Sequence, residues 1–402
     1  MGGSAGRSLL MSLQTTRHGD VIRCRVRHDA FVADELNLPA APNPFAVAEP
    51  PPPAPVSPRS VTLSVSMMVS ACLLALLAVL PAPYQVFMPG PTVDVLADQP
   101  DGKPHIEISG AQTYPVSGRL LLTTVSARGG PGINAYPVSV LLGWASPWSR
   151  VAQVVEVPEA SRAQIDQANQ AQMVGSQEAA TVAALTELGY EVPTTLTVHS
   201  VLAGSGSEGV LEPGDVVLGL DGAPTPDFGV LTDILTATAP GTTVTVDVRR
   251  GDAELHLPVV TGEGDGRALL GINVDRTFDL PFDVTISVDD IGGPSAGTMF
   301  ALGIIDLLTP EDEADGAVIA GTGTIDELGN VGAIGGVQQK MAGARGAGAH
   351  WFLVPQSNCD EVVGHVPSGL HVVAVTTLHE AREAVVAIGA DDAAGLPACT
   401  SR

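Results

Sequence analysis

The 402-residue sequence has few basic residues and few aromatic ones. Lys and Arg number 19 against 44 Asp and Glu, which gives a formal net charge of −25. Because a nucleic-acid binder must neutralise a run of phosphates, this balance argues against that class of protein. Lys103 and Lys340 are the only lysines, so a lysine beside chemistry stands out. With 45% hydrophobic residues the chain can still build buried cores, which excludes a wholly disordered protein.

Several chemical motifs are missing. The sequence has no CxxC pair, which argues against a zinc ribbon or a thioredoxin-like site. His379-Glu380 lacks the second histidine of HExxH, so we predict no metal site. No GxxxxGK[ST] occurs, which predicts a chain without a fused ATPase and without a cofactor. The GNSGG sequence of trypsin-like PDZ proteases is also missing.

Residues 60–93 contain no charged side chain, and Val61–Leu80 is largely apolar. A helix of this length spans a bilayer core of roughly 30 Å. We therefore predict a single transmembrane anchor at residues 61–81. Arg59 precedes the span and the next basic residue is Lys103, so residues 1–60 are expected in the cytoplasm and the rest of the chain outside the cell membrane. A cleaved signal peptide is the alternative, and Met67 or Met68 would be a possible start for it.

Residues 1–60 are rich in proline, including Pro50–Pro53, and are predicted to be disordered. Of the four cysteines, Cys359 and Cys399 fall on the exported side. Such a pair forms either a disulfide that ties the C-terminal tail to the last domain or two unrelated thiols. Residues 82–192 read as short strands and turns followed by an amphipathic helix at Ser176–Gly189, a region expected to pack with the last domain.

Residues 193–262 change to strand periodicity with one helix. Leu211–Gly222 resembles the core motif of bacterial PDZ domains, L-x-x-GD-x-I-x-x-x-(D/N)-G. The resemblance implies that an extended peptide is captured by strand addition between an edge strand and a neighbouring helix. The residues expected to hold the peptide are Thr195, Thr197 and His199 on the edge strand and Leu231 and Ile234 on the helix. A small β domain with only a structural role remains the alternative.

The candidate chemistry lies after residue 263. A strand at Asp283–Val288 leads through a glycine turn to Ser295 and then to a long apolar helix. A serine in this position is either a nucleophile beside the free N–H groups of a helix start or an ordinary helix cap. Lys340 follows the turn Gly335-Gly336. Because Arg cannot deprotonate in a protein, a site that needs a neutral amine as a base must use lysine, and burial lowers its pKa.

Taken together, four motifs resemble the proteolytic domain of Lon proteases, in particular membrane-anchored, PDZ-containing Lon-like proteins. They are Gly293–Gly297, Gly321–Asp326, Gly329–Gly336 with Lys340, and Phe352–Asn358. The resemblance implies an α+β chain in which an α/β proteolytic domain occupies residues 263–395. It also implies a serine endopeptidase, with Ser295 as nucleophile, Lys340 as base and Thr322 as support. The backbone N–H groups of Ser295 and Ala296 would hold the oxyanion.

The expected substrates are extended or unfolded polypeptides, and the family resemblance also implies a homo-oligomeric ring. Many Lon enzymes carry an acidic residue directly before GPSAG, where this chain has Gly292 with only Asp289 and Asp290 nearby. Two other functions stay open. Gly293-x-Ser295-x-Gly297 also fits the nucleophile elbow of an α/β-hydrolase-type esterase, with Asp326 and His371 or His379 completing a triad. The other alternative is a catalytically inert membrane-anchored PDZ scaffold.

Overall fold

A computed structural model describes residues 57–130, 133–154, 162–264, 266–288 and 291–400. The predicted N-terminal tail, apart from its last four residues, lies outside this part of the chain. The helices are α1 (Pro58–Val79), α2 (Pro137–Ala145), α3 (Arg162–Glu187), α4 (Phe228–Ala237), α5 (Gly297–Leu308), α6 (Val337–Gly346), α7 (Cys359–Val362) and α8 (Leu378–Gly389).

Strands of the first half are β1 (Tyr84–Asp94), β2 (Ile106–Ser109), β3 (Arg119–Arg128), β4 (Arg150–Gln153), β5 (Thr194–Val201), β6 (Val216–Leu220), β7 (Ala223–Pro224), β8 (Thr243–Arg250) and β9 (Ala253–Val260). They are followed by β10 (Gly262–Gly264), β11 (Arg267–Leu269), β12 (Ile272–Phe278), β13 (Asp283–Ile286), β14 (Val318–Gly321), β15 (Thr324–Ile325), β16 (Val331–Gly332), β17 (Trp351–Pro355) and β18 (His371–Val375). This mixture of helices and strands confirms the α+β class.

Among the described residues, α1 is the helix whose length and composition would allow it to cross a bilayer, with a mean hydropathy of 2.2 in its apolar window. Proline at its first position suits a helix start, because the missing N–H would have no intrahelical partner there. A signal sequence near the N-terminus would satisfy the same criteria. The helix therefore agrees with the predicted span at 61–81 and leaves its role as an anchor a proposal.

A mixed sheet in the order β18-β17-β14-β3-β1-β4 organises the larger domain. Strands β3, β14, β17 and β18 are parallel, whereas β1 runs antiparallel to both β3 and β4. Three strands of this sheet therefore come from residues 84–153 and the other three from residues 318–375. Residues 82–192 are part of the same domain as the predicted proteolytic region, not a separate layer beside it.

The side chains of β3 alternate between the two faces of this sheet. Leu120 and Leu122 join the core formed with α3, α5 and α8, while Leu121 joins the opposite core formed with α6 and α7. This period of two is what a strand buried on both faces requires. The sheet is thus the middle layer between two layers of helices, and α5 and α6 approach it from opposite sides.

The smaller unit, which we call the β-rich module, is a sheet in the order β12-β5-β6-β8-β9 with α4 packed against it. Strand β12 pairs with β5 from Thr194 opposite Phe278 to Val201 opposite Ile272. The module therefore extends to Phe278, past the predicted boundary at residue 262. The final strand was missed because its partner, β5, lies far away in sequence.

The same pairing corrects the predicted peptide site. Strand β5, which carries Thr195, Thr197 and His199, lies between β12 and β6 and is not an edge strand. His199 Nδ1 lies 2.9 Å from Asp275 Oδ2 on β12. Leu231 is buried in the core of the module, and Ile234 packs against that core. The free edges of this sheet belong to β12 and β9.

Three further contacts hold distant parts of the described chain together. Cys359, at the start of α7, is joined to Cys399 by a disulfide, as one of the two alternatives predicted. The turn between β15 and β16 reaches the β-rich module, where Glu327 forms an ion pair with Arg276 of β12. The Arg276 guanidinium also lies 5.4 Å from the centre of the Phe228 ring on α4.

Candidate active site

Ser295 lies directly before α5, in a turn that a glycine makes possible. Gly293 has φ +89°, a conformation that residues with a side chain rarely adopt. The residue that caps α5 is Ala296, which has no side-chain capping bond. The hydroxyl of Ser295 instead lies 2.7 Å from Lys340 Nζ. Ser295 is therefore not serving as the helix cap, which was the structural alternative.

Lys340 approaches from the other side of the sheet on α6. Its helix begins after Gly336, which has φ +71°, and a Cβ at this position would lie 2.7 Å from Val125 of β3. Only glycine fits both the conformation and the space. This close approach of α6 to β3 brings Lys340, in the first turn of the helix, to the nucleophile.

Thr322 contacts both Ser295 and Lys340. Its Oγ1 lies 2.8 Å from Lys340 Nζ and donates a hydrogen bond to the carbonyl oxygen of Ser295 at 2.9 Å. The next residue along the chain, Gly323, donates its N–H to the same carbonyl at 3.0 Å. One segment after β14 therefore fixes both the backbone of Ser295 and the amine of Lys340.

Burial controls the charge of Lys340. The residue is 3% exposed, and this desolvation lowers the pKa of its amine to about 8. The described residues around the amine include no carboxylate that would favour its charged form. A substantial fraction of the amine is therefore neutral near physiological pH, as a general base requires. Asp289 and Asp290 lie outside the described residues.

The backbone around the serine leaves donors free. Among the described residues, nothing accepts a hydrogen bond from the N–H of Ser295 or Ala296. Pro294 has no N–H to offer. Both free groups lie at the start of α5, where the helix dipole favours negative charge. They are placed where a tetrahedral oxyanion could be held.

An open cavity of about 600 Å³ surrounds these residues. One wall is β3, which pairs with β14 only as far as Leu122. From Thr124 to Ala127 the edge of β3 faces the cavity, with Gly335 and the loop 291–296 around it. An extended peptide could add to this edge as a strand and place its carbonyl beside Ser295.

Comparisons with known proteins agree with this geometry. Residues 285–387 match the family model described as the Lon protease (S16) C-terminal proteolytic domain. The chain is 34% identical over 112 residues to Lon protease 1 of Herpetosiphon aurantiacus, covering 28% of this chain and 13% of that protein. It is 30% identical over 181 residues to Lon protease of Clostridioides difficile, covering 39% of this chain and 22% of that protein. The chain carries a Lon-type serine peptidase domain.

The chain spans only a small part of these relatives, 19% in the case of Lon protease from Helicobacter pylori, to which it is 29% identical over 162 residues. Among solved structures, the chain resembles the PDZ domain of the SdrC-like protein from Listeria monocytogenes, with 22% identity and a TM-score of 0.19. That match covers 20% of this chain and 85% of the other chain.

Three residues that support the Lon-type site were missed by the sequence analysis. Ser176 on α3 donates a hydrogen bond to the carbonyl of Pro294 at 2.9 Å, and the carbonyl of Asn169 accepts the N–H of Gly293 at 2.9 Å. Buried Asn358 bonds both the N–H and the carbonyl of Ile334, just before the turn into α6. A lone serine or asparagine in a helix or turn carries no local signal of a long-range backbone contact, although Asn358 does lie in the fourth Lon-like motif.

Residues of the proposed esterase triad are not brought to the site. Asp326 accepts hydrogen bonds from Leu328 and Asn330 within its own turn. His371 stacks on Trp351, with ring centres 4.8 Å apart. His379 pairs with Glu187, which raises the pKa of its imidazole. In the described part of the chain, Lys340 is the titratable side chain that lies within hydrogen-bond distance of the Ser295 hydroxyl.

Proposed function

We propose that this protein is an ATP-independent serine endopeptidase that cleaves extended or unfolded polypeptides with a Ser295–Lys340 dyad. The observation that carries the proposal is the 2.7 Å contact between Ser295 Oγ and the buried amine of Lys340, which has no carboxylate beside it among the described residues. The lack of a P-loop motif in these 402 residues supports independence from ATP.

In the proposed reaction, neutral Lys340 accepts the proton of Ser295 while Oγ attacks the scissile carbonyl carbon. The N–H groups of Ser295 and Ala296 hold the oxyanion. The ammonium of Lys340 then protonates the leaving amine. Water, deprotonated by the same lysine, hydrolyses the acyl-enzyme and restores Ser295. Thr322 positions the amine throughout by its hydrogen bond.

The surroundings of this site are also part of the proposal. Helix α1 would hold the protein in the cell membrane as a single span, with residues 1–60 in the cytoplasm and the proteolytic domain outside. The β-rich module would recruit or regulate the access of peptides. Because β5 is paired on both sides, a peptide that adds to this module as a strand would pair with the free edge of β12. A homo-oligomeric ring is suggested by the family resemblance.

The test compares four forms of the full chain in detergent: wild type, Ser295→Ala, Lys340→Arg and Lys103→Arg. Each is incubated with an unfolded protein and no ATP, and the products are identified by mass spectrometry. Lys103→Arg is the matched control, because Lys103 is the other lysine and its side chain is 75% exposed. We expect cleavage by wild type and by Lys103→Arg only.

Arginine keeps the positive charge of Lys340 but cannot accept a proton at accessible pH, so its effect separates a base from an electrostatic support. Full activity of Lys340→Arg would remove Lys340 as the base. Equal cleavage by Ser295→Ala would trace the activity to another protein. A wild type that cleaves nothing under these conditions would favour the inert scaffold.

A further inference from the structure

Helix α2 presents an apolar face that the described part of the chain leaves largely exposed. Its side chains Val138, Leu141, Leu142 and Trp144 are each 60% to 68% exposed, and we call these four residues the α2 face. Only Val140 and Gly143 of this helix are buried. Scattered apolar residues on a surface need no explanation, but four on one short helix mark an interaction surface.

The α2 face lies close to the point where the chain leaves α1. Helix α1 ends at Val79, and three residues later the N–H of Ala82 donates to the carbonyl of Ala135 at 2.7 Å. Ala135 directly precedes the start of α2. Because three residues reach roughly 11 Å at most and the Ala82–Ala135 pairing adds about 5 Å between Cα atoms, Ala135 lies within about 16 Å of the end of α1. The ring of Tyr84 also packs edge-on against Trp144, with centres 5.7 Å apart.

The residues around the α2 face have the composition of a membrane interface. Tyr84, Tyr136, Trp144 and Trp148 are four of the seven tyrosines and tryptophans in the chain. Such aromatic side chains favour the headgroup level of a bilayer, where one end of the ring is dry and the other is wet. This concentration occurs in a sequence that has few aromatic residues elsewhere.

The charge around the α2 face also departs from that of the rest of the molecule. No acidic residue lies between Glu107 and Glu156, although the whole chain carries a net charge of −25. Arg128, at the end of β3, and Arg150, at the start of β4, lie on the two strands that flank β1, and both are exposed. This local positive charge suits anionic lipid headgroups, to which each nearby arginine adds attraction.

We propose that the α2 face docks into the headgroup region of the bilayer that α1 crosses, holding the proteolytic domain against the membrane surface. The occupant is lipid and not a second copy of the chain, because a short tether, an aromatic cluster and exposed arginines meet at this one surface. This inference rests on the proposed anchoring by α1.

The experiment uses the full chain in vesicles of phosphatidylcholine and phosphatidylglycerol, with or without brominated acyl chains, which quench nearby tryptophan. Trp148→Phe with Trp351→Phe leaves Trp144 as the single tryptophan. Trp144→Phe with Trp148→Phe leaves Trp351, on β17, as the matched probe. We expect brominated lipid to reduce the emission of Trp144 at least twofold and to leave that of Trp351 unchanged.

A second pair of variants tests the apolar contact in the form that retains only Trp144. Leu141→Glu with Leu142→Glu should abolish the quenching, because two carboxylates oppose entry into the headgroup region. Leu202→Glu with Val386→Glu is the control, since both residues are exposed and apolar but lie outside α2. Brominated lipid should reduce the Trp144 emission of this control as strongly as that of the parent form.

Each unfavourable result has a distinct meaning. Release of the chain from vesicles by alkaline carbonate would overturn the anchor and the docking together. Retention of the chain with Trp144 unquenched would overturn the docking alone. Blue-shifted, unquenched Trp144 emission that depends on the ratio of protein to lipid would show that a second copy of the chain covers the α2 face.

Discussion

Lys340 and Asp306 are buried ionisable side chains for which desolvation is the largest influence on the pKa. Burial lowers the pKa of the Lys340 amine to about 8 and raises that of the Asp306 carboxyl to about 6. Lys340 faces the Ser295 hydroxyl, whereas Asp306 lies on α5 inside the core. The same cost of burial therefore prepares one residue for proton transfer and leaves the other as a local cost to stability.

From Lys340 as the proposed general base we predict how peptide hydrolysis depends on pH. The kcat/KM for peptide hydrolysis should rise with pH and level off above about pH 8, because only the neutral amine of Lys340 accepts the serine proton. Below that midpoint the rate should fall about tenfold for each pH unit. The profile is measured with a peptide substrate between about pH 6 and 10. A plateau that begins near pH 6.5 would instead indicate a histidine base.

From the buried carboxyl of Asp306 we predict how the free energy of unfolding depends on pH. One carboxylate oxygen accepts the N–H of Glu313 at 2.8 Å, and the other has no hydrogen-bond partner among the described residues. Because the folded-state pKa of about 6 exceeds the unfolded value of 3.8, stability present at low pH is lost as pH rises through this range. Asp306→Asn keeps the amide contact and should raise the free energy of unfolding at neutral pH by about 1–3 kcal/mol.

Thermal unfolding of wild type and Asp306→Asn at about pH 4 and pH 7.5 checks this sign. The Tm of the variant should exceed that of wild type at the higher pH and approach it at the lower one. An equal difference in Tm at both pH values would mean that ionisation of Asp306 is not the cause.

At the level of elements, the loop 291–296, which carries Ser295, is held between α3 and the segment that follows β14. Helix α3 bonds the loop through Asn169 and Ser176, while Thr322 and Gly323 bond the carbonyl of Ser295. Residues from three distant parts of the sequence therefore set the position of one hydroxyl. Such positioning matters because a small displacement of a nucleophile lowers its rate strongly.

Ser176→Ala tests this positioning. Losing its hydrogen bond to Pro294 should lower kcat about three- to tenfold and leave KM and the pH midpoint unchanged, because Ser176 touches neither the peptide nor Lys340. Thr181→Ala is the control on the same helix, since that hydroxyl bonds only Gln177 of α3. Steady-state kinetics on both variants give the comparison. An unchanged kcat with a lowered Tm would assign Ser176 a purely structural role.

Local patterns were sufficient for some of these elements and insufficient for others. The contact between Ser295 and Lys340 was predictable, because glycine turns, a long apolar helix and the scarcity of lysine mark the two residues, and the resemblance to Lon-like motifs joins them in one site. The position of β5 inside its sheet was not predictable, since Ile272–Phe278 must first be recognised as its partner. Strand partners depend on contacts across the fold, and alternation along one strand does not reveal them.

For the whole molecule, the disulfide fixes the end of the chain to the opposite side of the sheet from Ser295. Cys359 and Cys399 are 40 residues apart in sequence, and the carbonyl of Pro397 also accepts the N–H of Ala374 on β18. A disulfide restricts the unfolded chain and persists in an oxidising compartment. It is therefore consistent with the proposed location of this domain outside the cytoplasm.

Replacing both cysteines, as Cys359→Ser with Cys399→Ser, should lower the free energy of unfolding by about 2–4 kcal/mol. A thiol reductant should lower the Tm of wild type to that of the double variant and leave the Tm of the double variant unchanged. Thermal unfolding with and without reductant measures both effects. Equal sensitivity of the two forms to reductant would show that the bond is absent in solution.

The pairing of Thr194 with Phe278 has a consequence for how this protein is made. The first and last residues of the module are therefore neighbours in space. The module lies between β3 and β14 in the sequence, yet these two strands are adjacent in the sheet. During synthesis, β1 and β3 leave the ribosome long before the strand that completes their sheet. The module, whose strands all lie within residues 194–278, can close first, and Ser295 and Lys340 come together only when the last third of the chain has arrived.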